Sequence, residues 1–272
     1  MNPLQKFVKM LSDIFVPIIP AIVAGGLLMG LNNIFTAKDL FYDGKSIIDV
    51  HSQFSGLADM INIFANAPFT LLPILIGFSA AKRFGGNPYL GAALGMILVH
   101  PGLMSAYDFP KALEAGKTIP HWDVFGLHIN EVGYQGQVLP MLVATYILAT
   151  IEKWLRKVIP TVLDNLLTPL LSIFITAFIT FLFVGPVTRQ LGYWLSDGLT
   201  WLYEFGGAIG GLIFGLLYAP IVITGMHHSF IAVETTLIAD ATKTGGSFIF
   251  PIATMSNIAQ GGAALAAFFI IK

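Results

Sequence analysis

The chain has 272 residues, 56% of them hydrophobic and 11% charged, with a formal net charge of −1. Ordinary soluble domains are about a quarter charged, so this composition points to a polytopic membrane protein, and the absence of basic excess argues against nucleic-acid binding. No cysteine occurs, which excludes a disulfide framework, a thiol nucleophile and thiolate metal ligands within this chain.

In chain order, residues 1–13 mix Lys6, Lys9 and Asp13 with Leu4, Phe7, Val8, Met10 and Leu11, the pattern of an interfacial helix. The apolar run from Ile14 to Phe35 exceeds the roughly 7–15 residues of a signal-peptide core and is read as a retained first span. This span, about 14–36, holds Pro17 and Pro20 and the small pair Gly26 and Gly30, a spacing that lets another helix approach closely. A polar loop over 37–60 leads to a second span, about 61–81, broken by Pro68 and Pro73 and closed by a basic turn at Lys82 and Arg83. A third span, about 88–106, carries Gly91 and Gly95, and a mixed loop fills 107–130. The fourth span, about 132–151, leaves through Glu152, Lys153, Arg156 and Lys157, and the fifth covers about 166–186.

Beyond Pro186 the pattern changes. Residues 188–205, with Trp194 and Trp201, read as an amphipathic connector, and 206–223 as a Gly-rich sixth span. Residues 224–245 are too polar to face lipid and read as a re-entrant segment. A last segment covers about 247–271. The expected fold class is an all-α polytopic membrane protein with about seven transmembrane segments plus amphipathic interfacial helices. Lys6 and Lys9, Lys82 and Arg83, and the cluster at 153–157 fall on one side under strict alternation. The positive-inside rule makes that side, and the N-terminus, cytoplasmic.

The chemistry concentrates between Thr224 and Asp240, where His227, His228 and Glu234 follow an apolar segment. Ionisable groups at membrane depth mark a pathway or binding site. Histidine, with an unperturbed pKa of about 6.5, can accept a proton near neutral pH. Adjacent positions on a helix do not share a face, so either His227 or His228, rather than both, is the base or orienter; a purely structural hydrogen-bonding role is the alternative. Glu234 either orients a histidine and binds hydroxyls, or pairs with a backbone donor or Lys243. Asn257 and Gln260 lie three apart on one helix face; their amides, each with donors and an acceptor, suit a hydroxyl-bearing ligand, with interhelical hydrogen bonding as the alternative. Thr224 and Gln135 complete the set of substrate-binding candidates. Tyr134, at the entrance of a span, reads as an interfacial anchor, and Glu131 as a solvated cap. His51, His121 and His128 read as surface groups and His100 as structural. No further ligands stand at metal-binding spacing from the histidine pair; no metal and no cofactor is expected.

Gly225-Met226-His227-His228-Ser229-Phe230 with Glu234 resembles the membrane (IIC) component of the phosphoenolpyruvate-dependent sugar phosphotransferase system, of the sucrose/trehalose type in the glucose superfamily. Phe15-Val16-Pro17-Ile18-Ile19-Pro20-Ala21, Phe84-Gly85-Gly86-Asn87-Pro88 with Val99-His100-Pro101, Gly133 to Pro140, and Ser256 to Gly261 resemble the same family in order. The resemblance implies a protein of the bacterial cytoplasmic membrane. It would bind a sugar outside, translocate it, and present its 6-hydroxyl to a phosphocysteine on a cytoplasmic IIB domain. It also implies a homodimer, with a scaffold half over 1–187, the connector at 188–205 and the start of a sugar-binding transport portion at 206–272. The chain itself carries no phosphorylated residue; the phosphate donor is a IIB domain. Two departures stand out. No IIB domain is present, and the family's Gly-Ile-Thr-Glu tetrapeptide, whose glutamate touches the sugar, is missing. A truncated form is therefore expected. The alternatives are a secondary sugar carrier without phosphotransfer and a non-transporting fragment.

Overall fold

The computed structural model describes residues 3–223 and 249–270. The described chain is mostly helical. Helix α1 (Pro3–Phe15) tightens into a 3-10 turn at Val16–Ile18 and resumes as α2 (Ile19–Thr36), with prolines at the start of both later pieces. A short α3 (Ile47–Val50) precedes α4 (Ser55–Thr70) and α5 (Leu72–Phe84), which are separated only at Leu71. Then come α6 (Pro88–Leu98), α7 (Phe109–Glu114), strands β1 (His121–Val124) and β2 (Leu127–Asn130), α8 (Leu139–Val158) and α9 (Thr161–Ile179). A π-helical turn at Thr180–Val184 leads into α10 (Gly185–Ile223), kinked at Gly207, and α11 (Ile249–Ile270) closes the described chain.

Among the described residues, four stretches are long and apolar enough to cross a bilayer: Lys9–Thr36, Ser52–Phe84, Thr161–Leu191 and Pro251–Phe269. Pro88–Leu98 and Ile209–Pro220 are shorter apolar helices. The expectation of an all-α chain needs one correction. The loop foreseen over 107–130 contains α7 and an antiparallel hairpin, β1 with β2. The hairpin turns through Phe125 and Gly126, both at positive φ (52° and 81°). Consecutive left-handed residues match the right-handed twist of a two-residue hairpin. Its inner face anchors it: Ile129 is buried and Trp122 meets the Phe181 ring edge-on at 5.4 Å.

The core lies where α5, α6 and α8 meet, around Ile76, Leu94, Leu98, Met141 and Leu148, all fully buried. Glycine sets the closest approach. A Cβ on Gly91 would lie 2.1 Å from the Gly77 carbonyl oxygen, and one on Gly95 would lie 2.6 Å from that of Pro73. The expected packing role of Gly91 and Gly95 is met at the α5–α6 contact. The pair Gly26 and Gly30 faces open space instead, and it is Gly25 that packs, against Phe69, Ala65 and Pro68 of α4.

One end of the bundle is tied by charge. The turn Phe84-Gly85-Gly86-Asn87-Pro88 is a helix stop followed at once by a helix start. Gly85 takes φ 75° at the end of α5, Asn87 caps α6 by accepting from the Tyr89 N–H, and Pro88 occupies its first turn. The buried Glu152 carboxylate accepts from the Asn87 N–H at 2.7 Å and from Arg156 at 2.9 Å. Lys153 donates to the Phe84 carbonyl. Arg156 reaches on to Asp164 of α9 at 2.8 Å, and Arg83 reaches Asp13 of α1 at 2.9 Å.

Two outcomes are expected. Gly91→Ala should lower stability by about 1–3 kcal/mol, as overpacking of a close contact does, while Gly26→Ala should stay within about 0.5 kcal/mol; thermal melting of both variants in detergent, followed by tryptophan fluorescence, distinguishes them. The second concerns Ser46 and Asp49, which form a reciprocal cap at the start of α3. The Ser46 N–H, then its hydroxyl, hold the Asp49 carboxyl below its ordinary range. The lowered value means this cap is intact above the ordinary carboxylate range and is lost as pH falls through the lowered one. The protection of the amides at 46–51, measured as the exchange rate relative to that of the unstructured peptide at the same pH, should fall only on acidification.

Candidate functional site

Two of the expected spans are only partly helical. α6 has 11 residues, a length of about 16 Å at 1.5 Å per residue, roughly half of a 30 Å hydrocarbon core. After it, the chain runs irregularly beside a second irregular segment, 131–138, that leads into α8. Met104 N–H donates to the Glu131 carbonyl (2.8 Å), Gly133 N–H to that of Met104 (2.8 Å), and Tyr134 N–H to that of Leu98 (2.9 Å). Gly136 N–H reaches the Thr70 carbonyl at 3.3 Å with φ 70°. Val132 to Gly136 are all buried. Irregular backbone survives at membrane depth only when other protein groups satisfy it, and these bonds do so.

Arg189 lies over this segment. Its guanidinium carbon sits 4.5 Å from the centre of the Phe109 ring and 5.1 Å from that of Tyr134. Tyr134 is 1% exposed and its ring lies 5.9 Å from Phe181, which in turn meets Trp122. Tyr134 is therefore a buried packing centre and not the interfacial anchor its position suggested. Its hydroxyl occupies the space a side chain at Gly185 would need: a Cβ there would lie 1.7 Å away. One Arg189 nitrogen, Nη2, is buried with no hydrogen-bond partner among the described residues. A buried donor without a partner carries an uncompensated desolvation cost, and an arginine within a span is by default a functional group. Aromatic faces beside an unused guanidinium donor suit a hydroxyl-rich or anionic ligand.

A second feature escaped the reading of the sequence. Thr168, Ser172, Thr176 and Thr180 are fully buried and four residues apart, a hydroxyl seam along α9. It begins at Asp164, which accepts from Thr168 at 2.6 Å, and points along the helix towards Thr188 and Arg189. The period-four spacing was legible, but hydropathy averages conceal small hydroxyl residues.

The expected site residues do not all enter this arrangement. Thr224, His227, His228 and Glu234 lie outside the described residues. Asn257 and Gln260 stand on α11, both exposed, and Gln260 donates to the Ser256 hydroxyl at 3.3 Å. Gln135 is 8% exposed and its Oε1 accepts from the Ala106 N–H at 2.9 Å, bracing the two irregular segments. His100 accepts from the Gly102 N–H at 3.0 Å in a local turn, as a structural group does. His51, His121 and His128 are exposed. A groove of about 490 Å³ between α6 and α9 is lined by Ile97, Pro169, Leu170, Ile173, Phe174, Ala177, Phe178 and Phe181. None of these side chains can hydrogen-bond a sugar, so it suits a hydrocarbon chain and not a hydrophilic substrate.

Comparison with known proteins gives a consistent result. The family description "Phosphotransferase system, EIIC" matches residues 12–272. The chain is 87% identical, over 272 residues, to a sucrose-specific EIIBC component of Staphylococcus xylosus, covering all of this chain and 57% of that protein. It is 64% identical over 265 residues to a sucrose-specific EIIBC component of Vibrio alginolyticus, covering 97% of this chain and 55% of that protein. It is 51% identical over 272 residues to a trehalose-specific EIIBC component of Bacillus subtilis, with coverage of 100% and 57%. The chain thus spans a little over half the length of these relatives. No solved structure matches.

Gly185→Ala is expected to destabilise the protein by about 1–3 kcal/mol through overpacking against Tyr134. Arg189→Ala should cost about 0.5–2 kcal/mol in lost cation–π contact. Chemical denaturation in mixed micelles measures both; an unchanged midpoint for Gly185→Ala would mean that the Tyr134 ring does not rest there.

Proposed function

The chain belongs to the phosphotransferase system EIIC family, and from that premise we propose that it is the membrane portion of a sucrose- or trehalose-class sugar permease coupled to phosphotransfer. The observation that carries this reading is the 87% identity, across all 272 residues, to a relative named as a sucrose-specific EIIBC component. The sugar is taken up outside and its 6-hydroxyl presented to a phosphorylated IIB domain on another polypeptide or another part of a longer one. The chain contributes no cysteine and hence no phosphocysteine.

The protein sits in a bacterial cytoplasmic membrane with its N-terminus in the cytoplasm. In support, Asp13, Arg83, Lys153 and Arg156 gather at one end of the bundle, where the positive-inside rule puts the cytoplasm. About seven crossings follow when α6 and α8 are each counted with the irregular segment that extends it. The re-entrant segment at 224–245 is retained. Residues 1–187 form the scaffold, 188–205 the connector, and 206–272 begin the transport portion; the subunits pair as a homodimer.

The sugar site combines His227 or His228, as base or orienter of the 6-hydroxyl, with Glu234, Thr224, Asn257 and Gln260. Exposed amides on α11 suit that role, and Gln135 fixes the segment beside the path. The Gly-Ile-Thr-Glu glutamate of the family completes the site in a longer chain.

The test is uptake of labelled sucrose and trehalose into proteoliposomes supplied with phosphorylated IIB domain. Accumulation of sugar phosphate that requires the donor is expected. Equal uptake without the donor would indicate a secondary carrier, and no uptake from folded protein would indicate a fragment. His227→Ala and His228→Ala should differ, one of them losing about 100-fold or more in phosphorylation rate, the scale of general acid–base catalysis; near-native rates in both would remove the pair from the site.

A further inference from the structure

The hairpin carries a group of side chains that the sugar-transport reading does not use. Its register pairs Asp123 with His128, and Trp122 with Ile129. Directly opposed residues share a face and alternate residues return to it. Trp122 and Ile129 therefore face the protein, while His121, Asp123 and His128 stand together on the outer face. One ligand atom from each of the three lies within 4.8 Å of the others. It is the one such cluster of three among the described residues.

We propose that His121, Asp123 and His128 bind a divalent transition-metal ion of the zinc class. The Asp123 carboxylate is shared between the imidazoles: Oδ1 meets His128 Nδ1, and Oδ2 lies 3.8 Å from His121 Nε2. His121 Nδ1 lies 3.2 Å from the Ile119 carbonyl oxygen. A carbonyl only accepts, so Nδ1 of the neutral ring carries the proton and Nε2 turns its lone pair inward. A backbone carbonyl behind one ring nitrogen is the arrangement that orients metal-ligating histidines. The separation at Nε2 is too long for a direct hydrogen bond, but spans a metal ion with bonds of about 2.0–2.2 Å to nitrogen and oxygen after a small rotamer adjustment.

The donor set fixes the class of ion. Two imidazoles and one carboxylate suit zinc, nickel or copper, while magnesium and calcium favour all-oxygen sites. The three groups occupy one side of the ion, and the outer side is left to water. The hairpin rests through Trp122 on Phe181 in the π turn. An ion here therefore pins β1 to β2 beside the wall formed by Tyr134 and Arg189.

Calorimetric titration of the purified chain in detergent with zinc chloride is the direct test. One saturable site is expected, and with cobalt as probe, the visible absorption of a nitrogen- and oxygen-ligated ion. The His121→Gln/His128→Gln double variant and Asp123→Asn should each weaken zinc binding at least tenfold. His227→Ala/His228→Ala should leave it unchanged. The altered side chains are exposed, and an unchanged melting temperature without metal establishes that the variants are folded. Zinc should raise the melting temperature of the parent and not that of the double variant. Absence of a saturable site in the folded parent, or equal affinity in the double variant, would overturn the assignment.

Discussion

The bilayer leaves no unpaired backbone polar group without a cost of several kcal/mol. The segment 131–138 is where this chain meets that constraint without a helix. Its N–H groups find carbonyls on Leu98, Met104 and Thr70, from three different parts of the fold. The end of α4, the end of α6 and the loop beyond it must all be in place before the segment can be buried. The start of α8, the position of Tyr134 and hence the seat of Arg189 then follow. The two glycines serve different needs: a Cβ at Gly133 would lie 2.5 Å from the Gln135 side chain, while Gly136 takes a left-handed φ of 70°.

The opposite end is held by a different interaction. Glu152 is a buried carboxylate whose oxygens are taken by a backbone N–H and by Arg156. A buried charge left unpaired would be strongly destabilising. Glu152 therefore fixes the distance between α8 and the turn after α5, and Arg156 passes the constraint to α9 through Asp164. Exposed ion pairs contribute little to stability; the work here is done by the buried partner. The two ends differ in kind, hydrogen-bonded backbone at one and paired charge at the other, with a close-packed apolar core between them. From this packed body the chain continues through the π turn into α10, which kinks at Gly207 and has α11 beside it.

Irregular segments whose backbone groups are satisfied by other parts of the protein can lie at membrane depth without exposing backbone to lipid, a device common among transporters with broken helices. The chain covers 57% and 55% of the length of two of its relatives. Among the described residues Arg189 Nη2 has no hydrogen-bond partner, and Asn257 and Gln260 are exposed on α11. The hairpin is anchored by Trp122 and Ile129, and its outer face carries His121, Asp123 and His128.

The sequence by itself determined the membrane class, the basic clusters that gather at one end, and the family. These are local or additive properties: hydropathy sums along the chain, and charge spacing is read from neighbours. Only the tertiary structure decided that the spans near 88–106 and 132–151 are partly irregular, because apolar composition marks burial without specifying backbone form. It alone moved Tyr134 from an interface to the core and replaced Gly26 with Gly25 as the packing residue, since a shift of one position on a helix turns a residue through about 100° and changes the face it presents. It alone brought His121, Asp123 and His128 together. Three residues scattered over a polar loop have no common face until strand register gives them one.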